Sequence, residues 1–395
     1  MITPDDIACY RAETRGTEHV AHLNNAGASL PPDAVHERVI RHLDRERDIG
    51  GYEAKAEAAN EFEAFYPAIA GLIGAKPQEI AFIENATRAW DMAFYSLPFR
   101  EGDEIITVET EYASNFMGYL QARKRHGAVI KVAPCAPSGR VDVAALEKLI
   151  TSRTKLISVT HVPSHSGIIN PAAEIGRIAR QHGILFLLDA CQSVGQLPVD
   201  VNEIGCDMLS ATGRKFLRGP RGTGFLYVRE ELANSLEPVM LDLHAAEWTG
   251  EDQYRIEAGA RRFENWECFF AGKLGLAVAA RYAQKVGLAA IAERNTALAE
   301  RLRGGLASFA HVDVRDRGEE KCAIVTFTVK GREAAEVHHA LRQQGINTSV
   351  SSGDYSRLDL TRRGIKSLVR ASVHYYNLEN EIDRCIEAVA RLGRG

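Results

Sequence analysis

The sequence predicts an α/β protein with a mostly parallel, open sheet in a large N-terminal unit and a smaller α+β unit after it. Three observations carry this. Short β-branched runs alternate with helix-length amphipathic segments through the first two thirds of the chain, the pattern of successive βα units. One run, ILFLLD (184–189), is apolar at nearly every position, as suits a strand buried on both faces of a parallel sheet. The chain's 395 residues also exceed what one compact domain commonly holds, and the pattern changes near residue 270.

Seven strands are expected in chain order: EIAFIE (79–84), IITVE (105–109), VIKVA (129–133), LISVTHV (156–162), ILFLLD (184–189), DMLSA (207–211) and GFLYV (224–228). Helical patterns lie between them, such as NFMGYLQARKRHG (115–127) and PAAEIGRIARQHG (171–183), the latter with Pro171 near its first turn and Gly183 at its end. After these come a helix over 271–287, a strand AIVTFTV (323–329), a helix near 332–344, a strand LVRASV (368–373) and a closing helix over 378–392. The expected division is 20–270 for the large unit and 271–395 for the small one, with residues 1–19 packing against the latter. No internal repeat, low-complexity tract or Gly/Ser linker interrupts the chain.

Hydrophobic residues make up 45% and charged residues 25%, the mix of a soluble globular protein rather than a disordered one. With 48 basic and 52 acidic residues the net charge is -4, so general nucleic-acid binding is not expected. The seven cysteines include no CxxC pair, which argues against a zinc site and for reduced thiols in the cytoplasm. The polar start MITPDDIACYRAETRG lacks the apolar stretch of a secretory signal, and no run approaches the roughly 18 apolar residues of a membrane span. No metal site is expected, and His338-His339 on a polar helix reads as solvated surface.

Ligands of open α/β sheets sit beyond the carboxyl ends of the strands. There Asp189 closes ILFLLD, and Lys215 follows DMLSA within ATGRKFLRGPRGTGFLYV. A lysine can form an imine with an aldehyde, and a carboxylate can keep a heterocyclic nitrogen protonated; pyridoxal phosphate needs both. The plain structural alternative is a surface lysine and a helix-capping aspartate. A similar alternative holds for Asn85 in ENATRAW (84–90), an ordinary N-cap that also opens an anion-binding helix terminus. The loop GPRGTG (219–224) reads as a tight turn into the next strand.

The strings THVPSHSGIINP (160–171), DACQSVGQ (189–196) and SATGRKFLRGPRGTGFLYV (210–228), with HLNNAGASLPP (22–32) and VRASVHYYNLENEID (369–383), resemble the class V aminotransferase family. That fold type I group of pyridoxal-phosphate enzymes includes cysteine desulfurases, C–S lyases and isopenicillin N epimerase-like enzymes. The resemblance implies that Lys215 carries the cofactor, that Asp189 pairs with its ring nitrogen, and that Gln192 and Ser164 lie near its ring hydroxyl. It places Asn85, Ala86 and Thr87 in the phosphate cup with Thr212, and Tyr112 on the ring face in place of the usual histidine. Arg214 replaces the histidine that often precedes the lysine and can grip the phosphate in two-pronged fashion. Arg370 stands where the family clamps the substrate carboxylate, and Asn24, Ala26 and Gly27 run beside the substrate. Tyr52 is a further substrate-site candidate. In RRFENWE (261–267), Trp266 and Glu267 replace a Gly-Thr pair that in the family reaches the partner subunit's phosphate.

The stretch INTSVSSGDYSRLDLTRRGIKS (346–367) carries no cysteine where persulfide-forming desulfurases have one, so that chemistry is not expected. The implied reaction is β-elimination of an amino acid with C–S cleavage, with Lys215 as general base, Asp189 and Tyr112 beside it, and pyruvate or an equivalent keto acid released. Epimerisation and transamination are the alternatives, and a catalytically silent cofactor-fold binding protein is the non-enzyme one. A homodimer with sites at its interface is implied by the same resemblance.

Overall fold

The computed structural model describes residues 2–394, so Met1 and Gly395 of the expected units lie outside the described residues. Seven strands form the large sheet: β1 (Ile80–Ile83), β2 (Glu104–Val108), β3 (Val129–Ala133), β4 (Thr154–Thr160), β5 (Leu185–Asp189), β6 (Met208–Thr212) and β7 (Gly224–Val228). Their order is β1-β7-β6-β5-β4-β2-β3, and only β7 runs against its neighbours. These are the seven strands expected from the apolar runs. Burial on both faces explains why they lack clean alternation: every residue of β1, β2, β6 and β7 is buried.

Helices cover both faces. α1 (Ala86–Tyr95) begins at Asn85, whose side chain accepts a hydrogen bond from the Arg88 amide. α2 (Ala113–His126) follows β2, and α3 (Ala172–His182) is preceded by Pro171 and stopped by Gly183 at φ +64°, a left-handed position that favours glycine. α4 (Phe270–Val286), the helix expected to open the small unit, instead lays Leu276, Ala277, Ala280 and Ala283 into the core of the large sheet. Its small residues let neighbours approach closely: a Cβ on Gly275 would lie 2.6 Å from Val39 Cγ2 of helix Asp33–Ile49.

α5 (Leu288–Ala307), α6 (Ala334–Gln343) and α7 (Glu379–Arg391) pack on an antiparallel four-stranded sheet. Its strands β8 (Val312–Val314), β9 (Ile324–Val329), β10 (Ser349–Ser352) and β11 (Ser367–Ser372) take the order β8-β9-β11-β10. Leu298, Leu302, Phe327, Val369, Ile382 and Val389 form this second core. The N-terminal segment is tied to it: Ala21 and His22 pair in parallel with Ile346 and Asn347, Tyr10 meets Tyr375 edge to face, and Arg11 bridges to Glu381 at 3.0 Å. No helix among the described residues is long and apolar enough to cross a membrane.

Candidate active site

One cavity opens where five strands of the large sheet end. Asn85, Ala86 and Thr87 reach it after β1, Tyr112 and Asn115 after β2, Thr160, Val162 and Ser164 at the end of β4, Asp189, Cys191 and Gln192 at the end of β5, and Thr212, Arg214 and Lys215 at the end of β6. It continues into a second hollow that shares Tyr112, Ser164, Gln192, Arg214 and Lys215 and adds Ala26, Gly27, His165, Ser352, Tyr355 and Arg370. The residues singled out for cofactor and for substrate therefore sort into two adjoining halves, except Tyr52 and Asn24, the latter accepting a bond from Arg370.

Asp189 is buried; its Oδ1 accepts the Cys191 amide at 2.9 Å and its Oδ2 accepts Asn115 Nδ2 at 2.9 Å. Lys215 is also buried, with Nζ 3.1 Å from Cys191 Sγ. Burial pushes the Cys191 thiol up, against a smaller downward pull from Lys215. Gln192 donates to the Ala26 carbonyl at 3.1 Å, while its buried Oε1 has no partner. Thr212 Oγ1 donates to the Thr223 carbonyl at 3.3 Å.

At the phosphate-cup end, the first-turn amides of α1 lack helical partners by geometry and carry the helix's positive end. The reversed strand β7 starts here. Gly224 allows the close approach, because a Cβ on it would lie 2.6 Å from the Ala211 carbonyl and 3.1 Å from Asn85 C. Gly195, at φ +91°, does the same for the turn behind Gln192, where a Cβ would meet Leu217 N at 2.5 Å.

On the substrate side, Arg370 of β11 donates to the Ser164 carbonyl at 3.1 Å and to Asn24 Oδ1 at 3.4 Å, and its buried Nε has no partner. Burial, followed by the positive charge of Arg214, brings Arg370 down to about 10, so it stays charged at neutral pH. Arg214 donates to the Gly27 carbonyl at 2.6 Å and stands where the two halves join.

Other expected positions fall outside the cavity lining. Tyr52 is 74% exposed. In the RRFENWE segment Glu264 is buried and accepts from Phe82 N and Tyr66, whereas Trp266 is 49% exposed. His338 contacts Thr348 and His339 contacts Gln343, and no metal-holding cluster of His, Cys, Asp or Glu occurs among the described residues.

Sequence reasoning did not single out Asn115, Cys191 or Arg218. Arg218 alone among the described non-glycine residues has a positive φ, 60°, a conformation that costs an L-residue about 1 kcal/mol. It closes the turn after Lys215, its amide donating to the Lys215 carbonyl at 2.9 Å, and its guanidinium reaches Leu30 O, Tyr375 and Thr14.

Comparison with known proteins agrees with this geometry. The family model described as Aminotransferase class-V matches residues 21–385. A probable cysteine desulfurase of Methanothermobacter thermautotrophicus is 31% identical over 351 residues, 87% of each chain. The apo structure of a cysteine desulfurase from Thermococcus onnurineus superposes with a TM-score of 0.92 at 28% identity, covering 100% of this chain and 99% of that one. The cystine C–S lyase C-DES shares the fold at TM-score 0.86 and 22% identity, over 95% and 99% of the two chains.

Proposed function

The chain belongs to the class V aminotransferase family, and from that premise we propose that it is a pyridoxal-phosphate enzyme cleaving the Cβ–S bond of an amino acid. The observation that carries this reading is the meeting of Asp189, Lys215 and Arg370 around one continuous cavity at the carboxyl edge of the sheet.

The residues present fit the cofactor. A buried, partnerless Gln192 Oε1 awaits a hydroxyl donor, Asp189 presents a carboxylate fixed by two donors, and the α1 terminus with Thr212 offers an anion site. When bound, pyridoxal phosphate supplies an aldehyde that condenses with amines and a protonated ring that accepts the electron pair from Cα. Lys215 Nζ would hold the aldehyde and, as a free amine, would serve as base for the Cα proton. Asp189 keeps the ring nitrogen protonated. Arg370 would grip the α-carboxylate and so orient the substrate at Cα. Tyr112 walls the cavity, and Arg214 and Ser164 line the junction of its halves. The net change takes up one water and yields thiol, ammonium and pyruvate or an equivalent keto acid.

The relatives' desulfurase names put sulfur at the substrate's Cβ. The cysteine-free segment 346–367 favours release of a free thiol over a protein-bound persulfide. Exposed Trp248, Tyr254, Trp266 and Phe269 support a homodimer, and seven free cysteines support a cytoplasmic setting. The cofactor reading is assigned to the large unit and the carboxylate grip to the small one. A screen of S-substituted cysteines and their sulfoxides for pyruvate and thiol tests the reaction. Exchange of the Cα proton without pyruvate from any of them would replace elimination by epimerisation.

A further inference from the structure

Glu111, just beyond β2, is a buried carboxylate that does not itself line the cavity, yet it organises residues that do. Its Oε1 accepts Tyr112 N at 2.7 Å, Asn115 Nδ2 at 3.0 Å and Thr160 Oγ1; its Oε2 accepts Thr107 Oγ1 and Tyr119 OH, each at 3.0 Å. Five donors converge on a group with about four acceptor sites, and no salt bridge to it occurs among the described residues. Three of these donors belong to residues of the cofactor half: Tyr112, Asn115 and Thr160.

The Asn115 carboxamide is the telling link. Its nitrogen bonds Glu111 at 3.0 Å and Asp189 Oδ2 at 2.9 Å, so one NH2 group spends its two hydrogens on two buried carboxylates. Resting on the pyridoxal-phosphate reading above, we infer that Glu111 is a positioning residue. Through Asn115 it fixes the Asp189 carboxylate against the cofactor's ring nitrogen, and through the Tyr112 amide it fixes the neighbouring wall. Without this relay Asp189 keeps one donor, the Cys191 amide on Oδ1, and its plane is free to turn. A second carboxylate across a shared donor also strengthens Asp189 as the partner of a protonated nitrogen. Burial raises the Glu111 carboxyl above its ordinary value, with Asp189 adding to the rise and the hydrogen bonds from Thr160, Tyr112 and Asn115 opposing it.

The alternative is a purely structural staple joining β2, α2 and β4. Spectroscopy of the holoenzyme separates the two. Glu111→Gln and Asn115→Ala are each expected to shift the visible band and to move its pH midpoint by about one unit. Each is expected to weaken cofactor binding about tenfold and to lower kcat with KM for the amino acid little changed. The double variant should go no further than the larger single one, because both cut the same relay. Folded variants labelled at Lys215 by borohydride that keep the parent's band and midpoint overturn the inference. Should Glu111→Gln fail to fold, Asn115→Ala decides, since it leaves Glu111 four other donors. A parent protein with neither a visible band nor a labelled Lys215 instead overturns the cofactor reading, and the inference with it.

Discussion

Lys215 Nζ and Cys191 Sγ lie 3.1 Å apart, the only sulfur contact to the lysine among the described residues. A thiol raised by burial is a poor nucleophile at neutral pH. Cys191→Ser is therefore expected to keep thiol release within about threefold of the parent, measured as kcat/KM. Loss of activity together with a mass gain of one sulfur on the parent's Cys191 peptide would make it a sulfur acceptor instead.

The proposed reaction gives Lys215 two tasks, so its removal should be far more costly. Lys215→Ala is expected to lose the borohydride-sensitive visible band and to lower kcat by about 10³-fold or more. Unchanged colour and turnover would remove the basis of the proposed reaction.

Arg370→Lys keeps the charge but not the fork that spans Ser164 O, Asn24 Oδ1 and a carboxylate. A lost charged hydrogen bond is worth about 1.5–3 kcal/mol, so KM for the amino acid should rise roughly 10- to 100-fold. Steady-state kinetics with kcat and KM resolved will show whether the loss falls on binding.

Acid stability should depend on Glu104 at the start of β2. Burial alone would raise its carboxyl from 4.5, but hydrogen bonds from Lys131, Thr151 and Thr154 win and bring it to about 2. A carboxyl depressed in the folded state contributes stability that is fully present above its unfolded value and is lost as pH falls through the folded one. Thermal melts between pH 4.5 and 2 should therefore fall less steeply for Glu104→Gln than for the parent, from a lower starting Tm.

Sedimentation or light scattering is expected to give twice the 43.4 kDa chain mass. Trp248→Glu paired with Trp266→Glu should shift the species toward one chain mass, because charge at a covered apolar face opposes association.

Most strands of the large sheet were legible because they are short, largely apolar runs, as burial on both faces demands; edge strand β3, only partly buried, still reads VIKVA. Elements with a weaker signal were not. The hairpin Ala246–Gly250/Gln253–Ile256 exposes most of its residues, β10 reads SVSS, and α5 starts directly after Gly287, which reads as a helix end. Strand ends also pointed to Asp189 and Lys215, since the carboxyl edge of the sheet is where ligands collect, while Gln192 came from the family resemblance. Asn115 and Glu111 stayed hidden. They sit at the head of α2 with the look of ordinary helix-start residues, and the bond from Asn115 to Asp189, 74 positions away, exists only in space.

The one reversed strand has a consequence for how the molecule is made. β1 emerges from the ribosome first among the sheet strands, yet its only neighbour is β7, about 140 residues downstream, or roughly ten to thirty seconds of translation. Throughout that interval its four apolar residues wait without a ladder, next to the nascent phosphate cup. The newborn polypeptide thus keeps this sheet edge unpaired until residue 228 leaves the exit tunnel.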